Sequence, residues 1–152
     1  MKNQSFPSIA LLLVMMAAAT RLIPHPYNFT ACGALALFAG SAITDRRLAY
    51  LIPLSALFLS DLLLGLHPTL MPVYACFAFS VWLGSRFTPV SSWAKIGGAN
   101  LLGSVVFFLV TNHPIWYAGS YSMDLSGVIT SYTAGLPFFR NQVVGEIGRA
   151  HV

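Results

Sequence analysis

The chain has 152 residues, 57% of them hydrophobic and 8% charged, with a formal charge of +4 and a mean hydropathy of +0.73. A soluble domain carries about 25% charged residues, so this composition excludes a water-covered surface, and two cysteines are too few for a disulfide scaffold. The expected solvent is lipid, and the expected class is an all-α, polytopic membrane helix bundle.

About 20 residues cross a bilayer, and charges, prolines and glycine clusters divide the chain into about six such segments. The first runs from Phe6 to Ile23 and the second, short and rich in Ala and Gly, from Thr30 to Thr44. A third covers Leu48 to Leu66, a fourth Leu70 to Phe87, a fifth Trp93 to Val110, and a sixth opens near Leu136. Lys2, the apolar run behind it and Ala17, Ala18 and Ala19 also imitate a cleaved leader, but the stretch is long enough to span.

Lys2, Arg46, Arg47, Arg86 and Lys95 fall on one side of this scheme, against Arg21 and Arg140 on the other. The positive-inside rule then makes the amino terminus cytoplasmic and the protein a multi-pass inner-membrane component. The basic balance is thus a topology signal. No basic stripe with interleaved aromatics points to nucleic acid.

On the outer side this topology gathers most of the unusual polar residues. The connection from Arg21 to Thr30 holds Pro24, His25, Pro26 and Asn28, and its prolines forbid helix. Asp61 and His67 close the third span, Asn112, His113, Trp116 and Tyr117 follow the fifth, and Arg140 and Asn141 open the sixth. Asp61 lies about 20 Å along its helix from Leu48, inside the outer half of the bilayer. A carboxylate there must be paired or face water, so it points into the bundle. Its structural reading is an ion pair with Arg21 or Arg140, or a hydrogen bond to Ser60 or a histidine; its functional reading is contact with a ligand or ion.

Other features have plainer readings beside sharper ones. His25, His67 and His113 are loop histidines, or with Asp61 a metal site, although no pair has the close spacing of a helical site. Trp82, Trp93, Trp116, Tyr117 and Tyr121 are interfacial anchors, while Trp116 and Tyr117 also suit the wall of a pocket. The series Ala36 to Gly40 and Gly97, Gly98, Gly103 and Ser104 lets helices approach closely. Cys32 and Cys76 read as apolar fillers. No Gly-x-Ser-x-Gly elbow, paired carboxylates or Walker loop occurs, so the expectation is not an enzyme, with no cofactor and no metal.

The string Arg21 to Thr30, the run Gly33 to Gly40, Pro53 with Leu57 to Asp61, His67, Val73 and Tyr74, Gly84, Thr111 and Asn112, and Pro137 to Asn141 together resemble an uncharacterised family of small bacterial integral membrane proteins, across about Arg21 to Gly145. In size, helix count and outward polar loops the chain is also similar to the substrate-capture S components of energy-coupling-factor transporters. That likeness implies capture of a small solute for uptake, energised by partner subunits. The ligand-binding residues would be Arg21, His25, Asn28, Asp61, Asn112, Trp116, Arg140 and Asn141. The alternative is a non-catalytic membrane assembly or scaffold protein whose polar cluster satisfies itself. The tail departs from the family pattern: residues 146–152 read as a non-native, adapter-like sequence after a single transmembrane domain of residues 1–145, with the sixth helix left incomplete.

Overall fold

A computed structural model describes residues 12, 15, 16, 19, 21, 32–88 and 91–148, with the side chains of residue 116 and of residues 146–148 left undescribed. Leu12, Met15, Met16, Ala19 and Arg21 are helical. Five α-helices follow: α1 (Cys32–Ala42), α2 (Arg46–Leu64), α3 (Leu70–Gly84), α4 (Trp93–Thr111) and α5 (Leu125–Gly148), with a 3-10 turn (Pro114–Tyr117) between the last two. No strand occurs among the described residues, so the all-α class holds.

Local chemistry sets the boundaries. Asp45 caps α2, its Oδ1 accepting from the amides of Arg47 at 2.8 Å and Leu48 at 3.4 Å. Gly65 ends the same helix at φ 99°, a backbone state that disfavours side chains, and its amide donates to the Asp61 carbonyl at 2.8 Å. His113 caps the 3-10 turn through Nδ1, which accepts from Ile115 N at 3.3 Å. Asp124 starts α5 by accepting from Gly127 N at 2.8 Å and from the Ser122 hydroxyl at 2.7 Å. The Gly127 amide, then the Ser122 hydroxyl, hold the Asp124 carboxyl below its ordinary value.

The centre of the bundle is the crossing of α1 and α3. A Cβ on Gly40 would stand 2.0 Å from the Val81 carbonyl oxygen, and one on Gly84 would stand 2.0 Å from that of Leu37. Glycine is what lets the two backbones touch. Ala36, Ala49 and Val81 form the buried cluster beside this crossing, bringing α2 onto it. Gly40 and Gly84 therefore serve packing within the chain, whereas a Cβ on Gly97 or Gly98 would meet nothing within 4 Å. α5 lies on α4, with Ser131 donating to the Asn112 carbonyl and Tyr132 donating to the Leu109 carbonyl at 2.7 Å.

Two expectations are corrected. Of the six expected spans, among the described residues only α2 and α4, at 19 residues each, are long and apolar enough to cross a membrane; α1 and α3 are shorter apolar helices. Of residues 6–23 only Leu12, Met15, Met16, Ala19 and Arg21 are among the described residues. The last helix opens at Leu125 and not near Leu136, and runs 24 residues, about 36 Å, through Gly148. It is thus not a half-length stub. Pro137 sits inside it, and the polar residues before that proline bond backward along the helix: Thr130 donates to the Ser126 carbonyl and Thr133 to that of Ile129. Residues 149–152 of the adapter-like tail lie outside the described residues.

Candidate functional site

Asp61 occupies the last full turn of α2 and is 1% exposed. Burying a carboxylate this completely is costly unless it is paired and hydrogen-bonded, and both of its oxygens have company. Oδ1 lies 2.7 Å from Arg21 Nη2, a close charge contact whose N–H is not aligned as a hydrogen bond. Oδ2 accepts from the Tyr74 hydroxyl at 2.9 Å. Arg21 uses its other nitrogen as well, Nη1 donating to the Ser60 hydroxyl and to the Leu57 carbonyl at 3.3 Å. Ser60 in turn donates to Leu57 O at 2.7 Å.

The network ties three segments. Arg21 comes from the amino-terminal helical residues, Leu57, Ser60 and Asp61 from α2, and Tyr74 from the first turns of α3. Of the partners considered for Asp61 in the sequence, the structure selects Arg21, which also engages Ser60. Tyr74 was not singled out as a site residue. Its signals were its place with Val73 in the motif that carries the family resemblance and its position close to the start of the helix after Asp61.

The remaining site residues do not join this network. Asn112 caps the end of α4, where its Nδ2 donates to the Phe108 carbonyl at 2.9 Å and its own carbonyl accepts from Ser131. Arg140 and Asn141 stand in the interior of α5 and not at a helix entrance, because that helix begins fifteen residues before Arg140. Arg140 is exposed and Asn141 half-buried. His25 and Asn28 lie outside the described residues, as does the side chain of Trp116.

Near this end His67 and Tyr117 make a smaller group. The His67 Nδ1 is 2.9 Å from the Thr69 hydroxyl, and the rings of Tyr117 and Tyr121 meet edge to face with centroids 6.1 Å apart. Burial, then the neighbouring Tyr121, push the Tyr117 phenol above its ordinary value, against the opposing effect of a hydrogen bond with Thr69. Among the described residues no group of three or more His, Cys, Asp or Glu gathers as metal ligands would.

Two cavities lie elsewhere. One, about 10 Å³, sits between Ser80, Asn100, Gly103 and Gln142, room for about one water molecule. The other, about 330 Å³, opens between the carboxyl ends of α1 and α3 and the start of α2. Neither is lined by Arg21, Asp61 or Tyr74.

Fold and site together define a class: an all-helical bundle with an apolar exterior on two long helices and a buried ion pair near one end. The chain belongs to DUF6580, a family of unknown function, whose profile matches residues 1–151. No curated protein and no solved structure matches the chain significantly.

Proposed function

We propose that the chain is an integral membrane protein acting as a non-catalytic assembly component, with the Arg21–Asp61–Tyr74 network as the clamp that fixes its helices. The membrane part rests on the outward faces of α2 and α4. Leu51, Phe58, Leu59, Leu62 and Leu63 are exposed on α2, and Leu101, Leu102 and Leu109 on α4. In water such a face is an aggregation surface; at about 28 Å each, the two helices match a hydrocarbon layer of about 30 Å.

The observation that carries the assembly reading is the occupation of Asp61. A ligand-binding carboxylate keeps an oxygen for the ligand, whereas here Arg21 takes one and Tyr74 the other. The likeness to S components motivates solute capture instead, and that reading requires the clamp to open. Arg140 adds support for a partner. The chain has four acidic residues. Asp45 and Asp124 cap helices and Asp61 is held by Arg21, so among the described side chains no carboxylate pairs with Arg140. A partner helix bearing a carboxylate would complement this exposed charge.

The test compares wild-type and Asp61→Asn protein purified in mild detergent, with untargeted mass spectrometry of co-purified small molecules and a thermal melt of each. Assembly predicts the same small molecules in both and a lower melting temperature for the variant. A solute enriched in wild type and lost from a still-folded variant would replace this reading with capture.

A further inference from the structure

The end of α2 opposite Asp61 holds the larger cavity, and its origin is geometric. Gly40 and Gly84 force α1 and α3 into backbone contact, Ala49 brings α2 against Val81, and beyond this tight floor the helix ends leave about 330 Å³ open. That volume lies at the small end of ligand pockets, which run about 300–1,000 Å³.

Its walls carry charge of one sign. Arg46 and Arg86 both line it, with Thr44 and Tyr50 as neutral hydroxyl donors. Ser41 and Ser85 also line it, but their hydroxyls are spent on the carbonyls of Phe38 and Trp82. Among the described residues neither arginine has a carboxylate partner. Arg21–Asp61 is the ion pair found there, and Asp45, adjacent to Arg46, turns its Oδ1 to backbone amides. Arg86 stacks on Trp82, its guanidinium carbon 4.5 Å from the ring centroid. Stacking orients the guanidinium plane while leaving its N–H donors available at the edge.

We infer that this cavity is a binding site for a phosphate oxyanion, held between the guanidinium groups of Arg46 and Arg86 with Tyr50 and Thr44 as further donors. Two planar donor forks match a tetrahedral oxyanion better than they match any neutral ligand. The oxyanion is either the phosphodiester of an anionic lipid headgroup or a free phosphate-bearing solute. Trp82 and Phe87 line the cavity, and Trp82 is exposed, offering acyl chains an apolar flank. The inference is independent of the assembly reading, since it uses none of the residues of the clamp.

The full chain, purified in an uncharged detergent, is mixed with equal amounts of phosphatidylglycerol and phosphatidylcholine, and retained lipid is counted by native mass spectrometry. A parallel thermal titration uses inorganic phosphate alone. Phosphatidylglycerol retained at least about tenfold over phosphatidylcholine, and lost in R46Q/R86Q, identifies a headgroup site; a phosphate-dependent rise in melting temperature, absent from R46Q/R86Q, identifies a free-phosphate site. Either result supports the inference. Equal retention of the two lipids with no phosphate response overturns it, as does a folded R46Q/R86Q protein that behaves like wild type. Should the double variant fail to fold by circular dichroism, R46Q alone decides: Arg46 is exposed in the first turn of α2, and its loss is expected to weaken retention about threefold or more, while unchanged retention overturns the inference.

Discussion

The two ends of α2 handle charge in opposite ways. Asp61 lies fifteen residues beyond Arg46, about 22 Å along the axis. At the Asp61 end a positive and a negative side chain are enclosed together and spent on each other, with Tyr74 donating to Asp61 and Ser60 accepting from Arg21. At the Arg46 end two positive side chains line an open cavity, and among the described residues neither is in an ion pair. Burial accounts for the contrast: an enclosed charge must find its partner within the fold, while a charge at an open cavity is free to find one outside.

Breaking the enclosed end is expected to have the largest effect. Asp61→Ala strands the Arg21 guanidinium, and chemical or thermal unfolding in detergent is expected to register a loss of about 3–5 kcal/mol; a loss below about 1 kcal/mol would mean that the pair does not hold the fold. Gly84→Leu comes next. Its side chain would drive into the Leu37 carbonyl, with an expected cost of about 1–3 kcal/mol or more, and a melt unchanged by it would show that α1 and α3 do not cross so closely. Tyr74→Phe leaves the Asp61 Oδ2 without its donor and is expected to cost about 1–2 kcal/mol; no change would put that oxygen in contact with water.

The smallest effect lies outside both ends. Because the Asp124 carboxyl is held below its ordinary value, its contribution is present above the unfolded pKa and is lost as the pH falls through the folded one. Protection of the Gly127 amide from hydrogen exchange, relative to its intrinsic rate at each pH, should therefore be high at neutral pH and fall in acid. In Asp124→Ala it should be lower already at neutral pH, and equal protection in the two proteins would remove the cap from the account.

Helical class and the positions of α1 to α4 were legible because apolar runs bounded by charges and prolines leave few alternatives. Asp61 was legible for a similar reason, as a lone carboxylate in an apolar run that had to turn inward, and Arg21 was already among its expected partners. The last helix was not legible. Pro137 resembles a helix start, and the stretch from Ser126 to Gly135 resembles a loop until Thr130 and Thr133 are seen to satisfy their hydroxyls on the helix itself. Six spans were expected because hydropathy counts apolar residues without measuring helix length, and α1, at 11 residues, is about 17 Å long. The cavity at Arg46 and Arg86 was hidden in a different way. Those arginines read as topology markers, and only the close crossing at Gly40 and Gly84 shows the space between them.

The central claim is that Arg21 and Asp61 stabilise the protein through each other, and the most direct measurement is a double-mutant cycle with Arg21→Met and Asp61→Leu, read by unfolding in detergent. The account predicts that each single variant is strongly destabilised and that the double variant, with both charges gone, recovers about 2 kcal/mol or more of the summed loss. A double variant as unstable as the sum of the singles would contradict it, because each residue would then act through some contact other than the pair.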